Sequence, residues 1–453
     1  MNFNEKINPQ YEKIHPWELY SADLDTEFRQ CMDEGKDIAK YESLFRDIAA
    51  LPADEAREKL ADVLYQIVLN APIREDYKFV EPSDLDGIRA LRQDHRPGSS
   101  KPDRGALYKK LLGAWTGRIC GCLLGKPVEG RRTDRLVPFL KATGNYPMHR
   151  YIRESDIVGD VERDFGDFHG ACYADRVDGM PIDDDTNYTV LYYTLVSWTG
   201  RDFTPYDAAR HWIANQPMNA YCTAERAAFR NFCAGYYPPQ SAIYKNPYRE
   251  WIGAQIRGDL FGYVNPGSPE AAAEMAWRDA SISHVKNGIY GEMFASAMIA
   301  AAAVLDDMRE IIEAGLAQIP KTSRLYADIH KVIDCFESGK SEEDCFAMIH
   351  ASYDEYTAYG WCHTNPNAMI VVASLLYGGD DYGTCICKAV QTGFDTDCNG
   401  ATVGSVFGMR YGIDAISEEW KAPVHDLLHT SIFGMENISI SDMAARTFDM
   451  IPG

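Results

Sequence analysis

Small residues recur at helical spacing in two widely separated stretches of the chain. In ALYKKLLGAWTGRICGCLLGKPVEG, Gly113, Gly117, Gly121 and Gly125 follow one another every four residues; in GFDTDCNGATVGSVFGMRYG, Gly400, Gly404 and Gly408 do the same, with Ala401 and Ser405 beside them. Each set falls on one stripe, so both stretches predict helices with a side of nearly bare backbone. A glycine inside a helix costs about 1 kcal/mol relative to alanine, a cost easiest to understand where another helix must approach closely. Pro127 ends the first of these helices. Further helices are predicted over Thr26 to Ala49, Ala53 to Leu69, Pro205 to Arg230, Glu270 to Leu305 and through residues 305–350. Residues 158–180 and 236–269 read as irregular, the former as a loop over a site. Sustained apolar alternation and hairpin turns are missing, and no repeat of 20 to 50 residues is visible. The expected fold is all-α.

The 453 residues, 46% hydrophobic and 12% aromatic, can bury a large core. The Pro-, Gly- and Ser-rich DHRPGSSKPDRG divides them: residues 1–95 read as a helical N-terminal extension, 96–105 as a linker or loop, and 106–453 as the main domain. A formal charge of −22 and a pI near 4.9 argue against nucleic acid as a bulk partner, because phosphate binding wants a basic surface. No charged-then-apolar leader opens the sequence, and the longest nearly continuous apolar run, Met293 to Leu305, is too short to span a bilayer. The expectation is a cytoplasmic protein without a membrane partner. Twelve cysteines are scattered, with Cys120/Cys122 and Cys385/Cys387 the close pairs; neither pair is a CxxC, and reduced, mostly buried thiols are expected.

Acidic residues gather at the predicted helix ends. Asp395 and Asp397 sit in a Gly-led turn just before the second glycine stripe, Asp183, Asp184 and Asp185 stand before an apolar helical run, and Glu129 lies just past Pro127. N-capping explains one or two of these. Three consecutive carboxylates repel one another by roughly 4 kcal/mol per pair at 4 Å and an effective dielectric of 20, which a cation would relieve. Oxygen donors without a matching Cys/His set select Mg, Mn or Ca. A pair of such ions could orient a substrate oxygen and activate water; paired carboxylates acting alone, as in sugar hydrolases, are the competing chemistry. His284, at the edge of an Ala-rich helix, reads first as a hydrogen-bonded structural histidine. His363, Asn365 and Asn367 before an apolar run suggest capping first and substrate contact second.

In order and spacing, four segments resemble the ADP-ribosylglycohydrolase family: the GxxxGxxxGxPxE stretch ending at Glu129, DDDT at 183–186, Ser283 and His284 before the Ala-rich helix, and GFDTDCNGATVGSVFGMRYG. The resemblance covers roughly Ala106 to Gly412. It implies an orthogonal multi-helix domain with a binuclear Mg2+ or Mn2+ centre that hydrolyses the bond between ADP-ribose and a protein side chain or small acceptor. By position it makes Asp184, Asp185, Asp395 and Asp397 metal ligands. Asp183 falls where the family usually has a ligating Thr or Ser, and Cys398 where it usually has a ligating Thr. Glu129 matches a loop Glu that approaches the metals and, with Asp184 and Asp397, makes up the expected catalytic set; His284 matches a His near the ribose. Cys122 stands where many members have Asp. The Met-Arg that ends the family's diphosphate loop is missing; GYVNPGSP stands there, and the backbone N–H groups of Asn265, Gly267 and Ser268 are the expected phosphate cradle. Cys398 and Asp183 are expected to alter metal geometry or choice. A hydrolase of another ribosyl or glycosyl compound, and a non-catalytic nucleotide-binding relative, are the alternatives.

Overall fold

The two glycine-striped segments are helices, Arg104–Gly125 and Thr396–Tyr411, and they pack antiparallel against each other in the computed structural model, which describes residues 9–166 and 172–452. Glycine meets glycine along the seam: Gly113 lies against Gly408, Gly117 against Gly404 and Gly121 against Gly400, while Gly125 lies against the Thr396 backbone. A Cβ on any of these glycines would run into a carbonyl of the opposite helix, so only glycine lets the backbones touch. The close approach expected from each stripe is therefore made by the other stripe.

Around this pair the fold is all-α: among the described residues there are 23 α-helices, short 3-10 turns and one two-stranded antiparallel ribbon, Leu427–His429 with Asn437–Ser439. Lys286–Ala302 and Thr364–Gly378, mostly apolar, are buried almost throughout. Arg118, inside the first glycine-striped helix and wholly buried, donates to Asp185 O and Oδ1 and to Ile256 O, and pairs with Asp259 at 2.9 Å. It ties the start of the Asp184–Thr199 helix to the central pair.

The window Thr26 to Ala49 is two helices, Leu24–Asp33 and Glu42–Ala49, parted by a turn in which Gly35 takes φ +83°. Residues 205–230 likewise break into Pro205–Asn215 and Thr223–Cys233. The segment 236–269 is more ordered than its Pro and Gly content suggests, with short helices Gln240–Ile243 and Asp259–Val264. Residues 158–180 carry the short helix Asp160–Phe165, and 167–171 lie outside the described residues.

The N-terminal helices bury their own apolar cluster, including Leu24, Phe45, Leu64 and Val68. They attach to the rest through buried ion pairs: Arg249 binds Glu27 and Glu34, at 3.0 and 2.6 Å, and Arg324 binds Glu81 at 2.9 Å. Tyr248 donates to Asp23. Farther along, Ser100 N donates to Gly267 O, so the stretch after the N-terminal helices lies against the 265–268 turn.

Candidate active site

Because the central helices run antiparallel, the end of Arg104–Gly125 and the start of Thr396–Tyr411 share one end of the pair. A single 3-10 turn, Lys126–Val128, follows the first helix and delivers Glu129. Gly393 and Phe394, at φ +78° and +57°, turn the chain into the second and set Asp395 at its N-cap. Asp395 makes no side-chain capping bond there; its own N–H donates to Asn367 Oδ1 at 3.2 Å. Asp183 does cap its helix, accepting from Asp185 N at 2.9 Å. The capping reading thus accounts for Asp183 and leaves Asp395 free for other work.

Glu129, Asp184, Asp395, Asp397 and Cys398 line a cavity of about 150 Å³. Asp183 and Asp185 are not part of its lining. Ligand atoms of Cys122, Asp183 and Asp185 fall within 4.8 Å of one another, as do those of Asp185, Asp397 and Cys398. Trp17, Trp251 and Trp361 line the same cavity, as do Cys222, Thr223 and Glu225. Thr223 holds φ +34°, an uncommon conformation for a β-branched residue.

Charge is badly matched in this cluster. Lys126 Nζ binds Asp183 Oδ2, and Arg118 is divided between Asp185 and Asp259. Among the described residues, Glu129, Asp184, Asp395 and Asp397 have no ion-pair partner, and Asp185 Oδ2 is buried without a hydrogen bond. Burial, with the charges of Asp183 and Asp397, pushes Asp184 up to about 7. The Asp397 charge first, and burial second, hold Glu129 well above the usual carboxylate range. Burial likewise raises Asp185, Asp395 and Asp397, and with neighbouring carboxylates it pushes the Cys122 and Cys398 thiols up. A cluster whose carboxyls resist joint ionisation, and one of whose oxygens has no donor, fits a hard divalent cation. The neutral thiols at its border are soft donors that fit such an ion less well.

Other expected site residues lie elsewhere. His284 is buried, its Nδ1 shares a hydrogen bond with Ser283 Oγ at 2.8 Å, and it faces a separate, largely apolar cavity of about 610 Å³ beside Trp277 and Ile289. Burial, and then Arg257, push its pKa well down, so the ring is neutral. The phosphate cradle does not form. Asn265 N donates to Gly262 O, Gly267 N to Ala300 O and Ser268 N to Asn265 O, so each N–H is already spent on a protein carbonyl. His363 accepts from Asn365 N as a cap, in line with the first reading of that segment. Asn367 does more: its Oδ1 accepts from both Asp395 N and Asn399 Nδ2 and so fixes the acidic turn.

Sequence reasoning missed Lys126, whose one signal is a lone cation three residues before Glu129, and missed the tryptophans, which are distant in sequence and carry no spacing to find them by. In comparison with known proteins, the sequence model of the family described as ADP-ribosylglycohydrolase matches residues 103–450. No curated protein matches the chain. Among solved structures, one described as an ADP-ribosylglycohydrolase-related protein complex is 17% identical, covering 76% of this chain and 98% of its own, with a TM-score of 0.46.

Proposed function

The chain belongs to the ADP-ribosylglycohydrolase family, a glycohydrolase-type enzyme family, and on that premise we propose that the acidic cavity is its active site, where the glycosidic bond of an ADP-ribosylated side chain or a small ADP-ribosyl compound is hydrolysed with divalent metal. What supports this reading is the convergence of Glu129, Asp184, Asp395 and Asp397, drawn from three separate parts of the chain, on one cavity. In this proposal residues 106–453 are the catalytic unit, residues 1–95 an extension docked on it, and the enzyme works in the cytoplasm.

Asp184, Asp185, Asp395 and Asp397 would hold Mg2+ or Mn2+, two ions in the family pattern, with Asp183 and Cys398 at the border of the site. When bound, such ions polarise substrate oxygens and lower the pKa of water. The protein's own groups do the rest. Glu129, kept protonatable by the neighbouring Asp397 and by burial, exchanges a proton with water or with the leaving group. Water adds to the anomeric carbon, the bond from that carbon to the acceptor breaks, and the acceptor departs with a proton. Lys126 holds Asp183, and Asn367 holds the Asp395 turn.

The occupied N–H groups of the 265–268 turn and the small cavity favour a second reading, hydrolysis of a ribosyl or glycosyl compound without a diphosphate. Calorimetric titration of Mg2+, followed by ADP-ribose, into the wild-type protein and Asp397→Asn separates the two. Metal uptake with metal-dependent ADP-ribose binding, both lost in Asp397→Asn, supports the first reading. Metal uptake without ADP-ribose binding favours the second reading, and no metal uptake at all refutes both.

A further inference from the structure

We infer that Trp17, from the N-terminal segment, is a substrate-contacting wall of the acidic cavity and restricts it to a compact glycosyl group with a small aglycone. This rests on the second glycohydrolase reading, a ribosyl or glycosyl compound without a diphosphate, and narrows its substrate class. Trp17 lies outside the part of the chain that matches the family, yet it lines the same cavity as Asp184, Asp395 and Asp397. It is held there by contacts on both sides. Its backbone N–H donates to His15 Nδ1 at 3.3 Å and the two rings stand 4.5 Å apart between centroids. The next residue, Glu18, accepts from Arg226 Nε at 2.7 Å through its carboxylate and from Arg230 Nη1 at 3.0 Å through its carbonyl. Both arginines belong to Thr223–Cys233, the helix whose first turn itself borders the cavity.

Trp251, 4% exposed, also lines the cavity and keeps its indole Nε1–H without an acceptor among the described residues. A buried donor of this kind costs free energy unless something accepts from it. Trp361 lines the cavity too, its ring fixed by the Arg132 guanidinium at 4.5 Å from the centroid and by an N–H bond to Phe394 O. Indole faces present negative charge to the polarised C–H face of a sugar ring, and carboxylates lining the same cavity accept from its hydroxyls. With the wall in place the cavity is about 150 Å³, below the roughly 300 to 1,000 Å³ of sites that enclose drug-sized ligands. It suits one sugar ring and not a dinucleotide-sized ligand.

The test uses the full-length Mg2+-loaded protein, with methyl β-D-ribofuranoside and ADP-ribose as probes, followed by calorimetry and indole fluorescence. Wild type is expected to bind the riboside with a fluorescence change and to bind ADP-ribose more weakly. Trp17→Ala should lower riboside affinity about tenfold and narrow or reverse the preference against ADP-ribose, while Trp17→Phe, which keeps an aromatic face, restores most of the riboside affinity. Equal riboside binding by wild type and Trp17→Ala, or tight ADP-ribose binding by the wild type, overturns the wall but leaves the glycohydrolase reading standing. Failure of metal-loaded wild type to bind either probe overturns both.

Discussion

A methyl group placed on the central seam tests the packing argument most directly, because two known effects oppose each other there. Gly404→Ala improves intrinsic helix propensity by about 1 kcal/mol. Its Cβ, however, would stand 2.0 Å from Gly117 O, where a carbon and a carbonyl oxygen normally meet at about 3.3 Å. The helices would have to part by about 1.3 Å, and because the obstacle is backbone, no side chain can swing away. Overpacking of this kind costs about 1 to 3 kcal/mol and occasionally more, and the upper end applies. Gly404→Ala should therefore be destabilised by about 2 kcal/mol after the propensity gain is subtracted. Its neighbours give the argument a direction. Gly400 lies one turn from Asp397 and Gly408 about 16 Å along the axis, so Gly400→Ala should lose both stability and divalent-metal affinity, and Gly408→Ala chiefly stability. Urea denaturation and Mg2+ calorimetry on the three variants read both effects. A rise in stability for Gly404→Ala would show that propensity rules and that the close approach is dispensable. Equal loss of metal affinity in Gly400→Ala and Gly408→Ala would show that the seam does not set the site locally.

The attachment of the N-terminal helices should be sensitive to acid. Burial opposes ionisation of Glu34, but Arg249 and Lys286 outweigh it and lower its pKa from 4.5 to about 2. Its contribution is thus full above pH 4.5 and lost as pH falls toward 2, amounting to about 3 kcal/mol; Glu34→Gln should flatten the acid limb of a stability profile, and an unchanged limb would place the acid transition elsewhere. Removing Lys126 leaves Asp183 unpaired among carboxylates, so Lys126→Met should melt lower than wild type without metal and gain more from added Mg2+ in a thermal-shift series; a smaller gain would count against Lys126 as a counter-charge. Cys398→Thr exchanges a soft donor for a hard one and should tighten Mg2+ binding several-fold by calorimetry, whereas unchanged affinity would remove Cys398 from the cation's surroundings.

Much of the helical plan was legible because it depends on local spacing. The stripes Gly113 to Gly125 and Gly400 to Gly408 announced smooth-faced helices, and the all-α class followed from missing alternation and the long apolar helical runs. Breaks inside those runs were less visible, as at Gly35, since a window of amphipathic residues reads alike on either side of a left-handed turn. The acidic residues could be listed as ligands from their place at helix ends, together with the family resemblance, but not the company they keep. That the two stripes face each other, and antiparallel, is a long-range choice, and it alone carries Glu129 and Asp395 to the same end of the pair. The same holds for the turn at 265–268, where sequence offers free N–H groups and the fold commits each to a carbonyl, and for Trp17, which reaches the cavity only because Glu18 meets Arg226 some two hundred residues later in the chain. Spacing along a helix is set by backbone geometry within a few residues and is therefore written in the sequence. Which groups share a cavity, and which hydrogen bonds remain unmade, depends on segments far apart in the chain meeting in space, and only the tertiary structure decides that.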